Sequence, residues 1–256
     1  MKFDPVEYEK GSAPRFTAGA DLIDLLDIKD GERVLDIGCG NGSVTAGIRE
    51  LAPMAEITAI DSSAEMVNGA RARYAGYSIH FKVADFLNTD FFEQFDVVFS
   101  NSVFHWFPHK AAACESICAA LIKGGRFGIQ TPSNKFCSLL FTDSMDNAAR
   151  DPRFNRYFDN FQLPWKFPSK NEMENIFCNM YLKRFRVFLR DYEEFFSSTK
   201  EIIAYLRGAG LQPYLERLPS KLQDEFVTRL EDILIKELAS NAVSLQFNRL
   251  FAIGIK

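Results

Sequence analysis

The first half of the chain alternates short apolar runs with longer amphipathic segments. The runs are rich in β-branched and aromatic residues, which predicts five buried strands. These strands are expected at residues 33–37, 56–61, 78–84, 95–100 and 126–131. The intervening segments predict helices at 44–51, 63–74 and 110–122, the second of them capped by Ser62 or Ser63. This alternation is typical of an α/β protein with a doubly wound, mostly parallel sheet, in which ligands bind at the carboxyl ends of the strands.

The second half opens after Pro132 with an aromatic, proline-broken segment that predicts a helical insertion or cap. Strand-like runs follow at 182–189 and 242–255, and helical patterns at 192–206 and 221–238. We expect the two late strands to complete a seven-stranded sheet. The chain is therefore divided into a ligand-binding core at residues 1–132 and, at 133–256, a helical cap plus the last two strands, within one structural domain.

The composition is that of a folded globular protein, with 47% hydrophobic and 25% charged residues. No apolar run approaches the ~18 uncharged residues that a membrane span needs. Residues 1–10 carry three acids where a signal peptide would be apolar, so a cytoplasmic location is expected. The cysteines are scattered, which favours reduced thiols over disulfides. They are Cys39, Cys114, Cys118, Cys137 and Cys178.

The net charge of −4 is spread without any block of like charges, so the chain offers a nucleic acid no broad basic face. Nucleic acid is not an expected partner. Residues 1–130 have a net charge of −6 and residues 131–256 a net charge of +2. A mildly cationic second half is compatible with an anionic small-molecule substrate, although ordinary surface variation would also produce it.

A glycine turn follows the first predicted strand, in the segment V-L-D-I-G-C-G-N-G-S at residues 34–43. The spacing is Gly-x-Gly-x-Gly, which differs from the Gly-x-Gly-x-x-Gly pattern of dinucleotide sites. Asp36 lies two residues before the first glycine, where its carboxylate would repel a phosphate. The turn therefore suits a ligand that carries an ammonium group and a sulfonium centre, or it is simply a tight strand-to-helix connection.

Two further acids end the next two predicted strands. Asp61 follows Asp36 by 25 residues, a position from which a carboxylate can accept hydrogen bonds from both ribose hydroxyls. Asp85 could accept from an adenine amine while Phe86 or Met66 packs on the ring. Together the acids predict a nucleoside ligand, although Asp61 alone could cap a helix and Asp85 alone could be a turn residue.

Four segments together resemble class I S-adenosylmethionine-dependent methyltransferases, which have a Rossmann-like fold. These are V-L-D-I-G-C-G-N-G, A-I-D-S-S, V-A-D-F and N-S-V-F-H-W. Further likeness to trans-aconitate methyltransferases lies in F-D-P-V-E-Y at 3–8, N-S-V-F-H-W-F-P-H at 101–109, and the segments 210–215 and 247–252. The chain departs from that pattern at Phe3, where tryptophan is typical, at His105, where glutamine is common, and in the aromatic insertion after Phe154.

The resemblance implies S-adenosylmethionine as cofactor, with S-adenosylhomocysteine as its product, bound by the core at residues 1–132. Arg15 would pair with the methionine carboxylate, which a guanidinium matches bidentately, and Asn101 would hold the methionine moiety. The expected cofactor residues are Arg15, Asp36, Gly38, Gly40, Asn41, Asp61, Ser62, Met66, Asp85, Phe86 and Asn101.

His105 and Trp106 are the expected catalytic residues. A carboxylate acceptor is already ionised at neutral pH, so methyl transfer to a small acid such as trans-aconitate needs no general base. His105 would orient that acceptor, or act as base for a hydroxyl or amine, unless it is only structural. Trp106 would face the sulfonium or the substrate, unless it is a core residue. The expected substrate-binding residues are Tyr8, Trp106, Arg207 and Arg249.

His105, His109, Cys114 and Cys118 have spacings that could suggest a metal site, but Pro108 separates the histidines and both cysteines fit an apolar helix face. We expect no metal. Two alternatives to a carboxylate methyltransferase stay open besides hydroxyl or amine acceptors. One is an NAD-dependent dehydrogenase, and the other is a protein that binds S-adenosylmethionine without turnover, as a regulatory or partner subunit.

Overall fold

The computed structural model describes residues 13–135, 137–208, 210–240 and 242–256. For residues 13–15 and 137 it describes the backbone only. Within those residues the chain forms seven strands and nine α-helices. The strands are β1 (Arg33–Ile37), β2 (Glu56–Asp61), β3 (His80–Val83), β4 (Phe95–Asn101), β5 (Leu121–Pro132), β6 (Arg184–Phe196) and β7 (Val243–Ile255). The helices are α1 (Ala13–Leu26), α2 (Ser43–Leu51), α3 (Ala64–Arg73), α4 (Lys110–Ala120), α5 (Cys137–Ala149), α6 (Lys170–Cys178), α7 (Thr199–Arg207), α8 (Gln212–Leu215) and α9 (Ser220–Leu238).

The strands form one seven-stranded sheet in the order β3-β2-β1-β4-β5-β7-β6. Strands β1 to β5 pair in parallel, and β7 pairs with β5 in the antiparallel sense. The predicted α/β class with a doubly wound, mostly parallel seven-stranded sheet is confirmed. Because the strand order reverses between β1 and β4, the carboxyl ends of these two strands flank the crevice where such sheets bind ligands.

The central strands are buried on both faces, as their nearly continuous apolar sequences require. Val34, Leu35, Val97, Val98 and Phe99 have no exposed surface. In β1 the burial extends through Asp36, which is 2% exposed. A carboxylate in so apolar a strand is costly, and this marks Asp36 as a residue kept for something other than packing.

The chain divides into two compact units. The sheet unit contains residues 15–133, 165–190 and 249–256, and its core joins β1, β4 and β5 to Met173 and Phe177 of α6. The helical unit contains the described residues of 134–164 and 191–248, in which α9 packs on α5 and α7. The predicted division of the chain at residues 132 and 133 stays a prediction. Residues 165–190 and 249–256, which follow that boundary, group with the sheet.

Two predicted helices have different boundaries in the structure, one at its start and one at its end. Residues 192–196, predicted as helix, continue β6, because exposure alternates along them and Asp191 and Glu193 accept hydrogen bonds from Asn248 and Ser244 of β7. Helix α4 ends at Ala120 and β5 begins at Leu121, so the predicted helical residues 121 and 122 are also wrong. Ser63 caps α3 by accepting from the Met66 N–H at 3.3 Å, which confirms one of the two predicted caps.

Among the described residues, no helix combines the length and the apolar character that crossing a membrane requires. A cytoplasmic location stays a prediction.

The turn at Gly38 generates a stability prediction. Its φ of +73° is left-handed, and an added Cβ would lie 2.1 Å from Val103 Cγ2. Gly31, with φ +82°, has open space around the same position, so Gly31→Ala isolates the backbone cost of about 1–2 kcal/mol. Gly38→Ala should lose that amount plus about 1–3 kcal/mol of overpacking, measured by urea unfolding. Equal losses in the two variants would show that Val103 does not restrict this turn.

Candidate cofactor and acceptor site

The turn after β1 is tightly closed against the neighbouring strand. The N–H groups of Gly38 and Cys39 both donate to the Ile60 carbonyl, at 2.7 and 2.9 Å. Gly38, Gly40 and Gly42 all have positive φ, so side chains here would be strained. The predicted glycine turn is therefore present, and it leads directly into α2.

Asp36 is buried beneath this turn. Its Oδ2 accepts a hydrogen bond from the Thr45 hydroxyl of α2 at 2.6 Å. Burial raises the pKa of Asp36 from 3.8 to about 7, and the nearby Asp61 charge adds to the rise while the Thr45 bond opposes it. An ionised Asp36 is thus unfavourable in the unliganded protein, and a cation placed beside it would offset that cost.

Asp61 connects the end of β2 to the glycine turn. Its Oδ2 accepts from the Gly40 N–H at 2.9 Å and its Oδ1 from the Ser63 N–H at 2.8 Å. Burial raises the pKa of Asp61, and these two backbone bonds oppose the rise. Each carboxylate oxygen has a second lone pair, so Asp61 can also accept from ribose hydroxyls.

The remaining residues expected around an adenosine follow β2 and β3. Asp85 is exposed and accepts from Leu87 N–H and from Asn88 Nδ2, so it also stabilises its own turn. Ser62 is exposed, whereas Met66 and Phe86 are 3% and 4% exposed. Phe86 packs on Phe107 with ring centroids 6.0 Å apart. Contact of either side chain with adenine stays a prediction.

Two asparagines follow the strands that flank the crevice, Asn41 in the glycine turn after β1 and Asn101 at the end of β4. Asn41 is 3% exposed, and its Nδ2 is buried without a hydrogen-bond partner in the described part of the chain. Asn101 ends β4, and an added Cβ on Gly19 of α1 would lie 3.0 Å from its Nδ2. A buried carboxylate, a spare amide donor and a glycine turn together fit the ammonium, carboxylate and ribose groups of S-adenosylmethionine.

His105 and Trp106 lie in a 3₁₀ turn, Phe104–Trp106, just beyond β4. His105 is 8% exposed, and its Nδ1 is 3.1 Å from the Thr131 hydroxyl at the end of β5. The His105 ring packs on Phe167, and the Trp106 ring meets Trp165 edge to face at 5.1 Å. Residues 165–167, from the aromatic segment, therefore line the same turn.

The expected substrate residues Arg249 and Arg207 belong to different compact units of the chain. Arg249 is 1% exposed in β7, opposite Pro132 at the carboxyl end of β5. Arg207 is half-buried near the end of α7, within the helical unit. Tyr8 lies outside the described residues, as does the side chain of Arg15, whose backbone begins α1.

Sequence reasoning missed several polar residues that support this site, namely Thr45, Lys110, Gln130 and Thr131. Gln130 has no exposed surface, and its Oε1 accepts from the Ser102 hydroxyl at 3.0 Å. Gln130 and Thr131 lie in the last three residues of β5, so a search for polar residues at strand ends, which identified Asp61 and Asp85, would have found them. Within the described ranges, no three His, Cys, Asp or Glu side chains group as metal ligands would.

Comparison with known proteins identifies the family. The model of the methyltransferase domain family matches residues 28–179. A trans-aconitate 2-methyltransferase from Methylobacterium nodulans is 29% identical over 263 residues, covering 98% of this chain and 97% of that protein.

Two solved structures share the fold. The YcgJ protein of Bacillus subtilis superposes with a TM-score of 0.63 at 18% identity, covering 94% of this chain and 98% of that one. A Haemonchus contortus phosphoethanolamine N-methyltransferase 2, in complex with S-adenosylmethionine, gives a TM-score of 0.60 at 19% identity, covering 98% of this chain and 56% of that one. The family match over residues 28–179 sets aside the alternative of an NAD-dependent dehydrogenase. The chain belongs to the methyltransferase domain family, and it is an S-adenosylmethionine-dependent methyltransferase.

Proposed function

We propose that this enzyme methylates a carboxylate oxygen of a small organic acid, with trans-aconitate or a similar polyacid as the acceptor. The observation that supports this most is the burial of Arg249 at the carboxyl-end edge of the sheet. A guanidinium presents its N–H donors in a planar fork that matches a carboxylate. The names of the full-length relatives agree with such an acceptor.

The neighbours of Arg249 support an acceptor site at this edge. In the β5–β7 ladder Arg249 is opposite Pro132 and Phe251 is opposite Gln130, so the side chains of Arg249 and Gln130 project to the same face of the sheet. Asn101 is in register with Gln130 on the other side of β5. A cation and two amides thus follow one another across three strands, which is a suitable lining for an acid with several oxygens.

The cofactor is expected to occupy the crevice beside these residues. S-adenosylmethionine supplies an electrophilic methyl group when it is bound. Asp36 would receive the ammonium, Asp61 the ribose and Asp85 the adenine amine.

The remaining expected cofactor residues would surround the ligand. The nucleoside would be enclosed by the turn at Gly38, Gly40 and Asn41, with Ser62 and Met66. Asn101 and Arg15 would hold the methionine end.

The protein's own contribution is to bind the acceptor and the cofactor, to orient them, and to exclude water from the reacting groups. A carboxylate acceptor gives up no proton, so His105 would orient it while Thr131 fixes the imidazole ring. Trp106 would cover the reacting groups with its π face. Holding two reactants in line can supply roughly 7–11 kcal/mol of the barrier reduction.

Arg249→Met should raise the acceptor KM by about tenfold to a hundredfold, because a charge-assisted hydrogen bond is lost. The dissociation constant of S-adenosylmethionine, measured by calorimetry, should not change. Arg207→Met tests the second expected arginine in the same way, and exposed Arg156→Met is the control for loss of charge. Arg249→Lys keeps a buried cation and should give an intermediate KM. An unchanged KM in folded Arg249→Met and Arg249→Lys would exclude Arg249 from acceptor binding.

The pH profile of kcat/KM distinguishes the acceptor classes. A carboxylate acceptor predicts a rate free of any inflection due to His105, because no proton leaves the nucleophile. Wild type and His105→Asn should therefore give profiles of the same shape between pH 6 and 8, at different heights. An inflection near the ordinary histidine pKa of about 6.5 that disappears in His105→Asn would instead identify a hydroxyl or amine acceptor.

A further inference from the structure

Lys110 is buried against the turn that contains His105 and Trp106. It is the first residue of α4 and is only 5% exposed. Its ammonium donates to the Phe107 carbonyl at 2.6 Å and to the His105 carbonyl at 3.4 Å. The same ammonium lies 6.0 Å from the centroid of the Phe104 ring. One side chain thus contacts three of the four residues from Phe104 to Phe107.

A buried ammonium is costly unless its donors are satisfied, and here backbone carbonyls replace water. Burial lowers the pKa of Lys110, and the Lys166 charge lowers it further, whereas Glu172 and Cys114 raise it. Beginning helix α4 does not by itself require a buried ammonium bound to two backbone carbonyls. The carbonyls, in turn, are held in place by the cation, because rotating either one away would remove one of the two acceptors of the buried ammonium.

The same turn is held from two other directions. The Lys166 N–H donates to the His105 carbonyl at 3.0 Å, and Thr131 contacts the His105 ring. These contacts set the position of His105 but leave the Phe107 carbonyl to Lys110. The direction in which the chain leaves Trp106 therefore depends on the lysine together with the hydrogen bond from the Phe107 N–H to the Phe104 carbonyl.

We propose that Lys110 is a positioning residue for methyl transfer: by binding the carbonyls of His105 and Phe107, it fixes the turn that presents His105 and Trp106 to the acceptor. This inference rests on the acceptor-site role given to His105 and Trp106 under the proposed function. Lys110 itself need not touch cofactor or substrate.

The chain contains its own reporter for this turn. It has two tryptophans, Trp106 and Trp165, and their rings meet edge to face. Their near-ultraviolet circular dichroism therefore reports the geometry of the turn directly. Trp165→Phe gives the spectrum of Trp106 without its partner.

The experiment compares Lys110→Met, Lys110→Arg and the exposed-lysine control Lys123→Met in the full-length enzyme. Lys110→Met should change the tryptophan dichroism and lower kcat about tenfold to a hundredfold, the scale expected for a displacement of about 1 Å. The dissociation constant of S-adenosylmethionine should stay within about twofold, since the glycine turn is untouched. Lys110→Arg, which retains a cationic donor, should recover part of both losses, and Lys123→Met should match wild type.

An unchanged kcat in folded Lys110→Met would overturn the inference, whether or not the spectrum changes. A loss of S-adenosylmethionine affinity equal to the loss of kcat would also overturn it, because that pattern indicates general damage. Trp106→Phe separates this failure from failure of the proposed function. If Trp106→Phe loses kcat while Lys110→Met does not, only the role of Lys110 is wrong; if neither loses kcat, the acceptor-site role of the turn is wrong as well.

Discussion

The hydrogen bond from the Gly40 N–H to the Asp61 carboxylate joins the glycine turn to the end of the neighbouring strand, and so fixes two of the expected cofactor-binding segments relative to each other. The N–H groups of Gly38 and Cys39 hold the same turn against β2 through the Ile60 carbonyl. Under the proposed function the same carboxylate also accepts hydrogen bonds from the ribose, so that one residue would both hold the turn and bind the cofactor.

The burial of Asp36 beneath the glycine turn has a free-energy cost, because the ionised carboxylate is disfavoured there. Its carboxyl is enclosed by apolar strands close to Asp61, so ionisation is opposed by burial and by a like charge. The Thr45 hydroxyl offsets only part of that penalty. A ligand with an ammonium group relieves it, whereas a pyrophosphate would increase it. The raised pKa of Asp36 is therefore compatible with the proposed binding of the cofactor's ammonium beside it.

Local features of the site could be predicted from the sequence, and long-range features could not. The segment V-L-D-I-G-C-G-N-G predicts a strand, a turn and a ligand because all of its residues act within one βα unit. By contrast, the contact of His105 with Thr131 depends on the pairing of β4 with β5, and the burial of Arg249 depends on β7 inserting beside β5. The local pattern of residues 192–196 predicts a helix, and the prediction is wrong because their strand partners are about 50 positions away in sequence. Charge alone also gave no reason to expect Lys110 or Arg249 inside the protein.

We propose that the buried Asp36, partly protonated at neutral pH, becomes ionised when the cofactor's ammonium binds beside it. Calorimetry of S-adenosylmethionine binding, in buffers of different ionisation enthalpy, counts the protons exchanged by wild type and by Asp36→Asn. With a pKa of about 7 in the free protein, wild type should release up to about one proton more than the variant at pH 6, and the difference should shrink by pH 8. Equal proton counts in the two proteins at both pH values, with equal affinities, would show that Asp36 does not ionise when the cofactor binds.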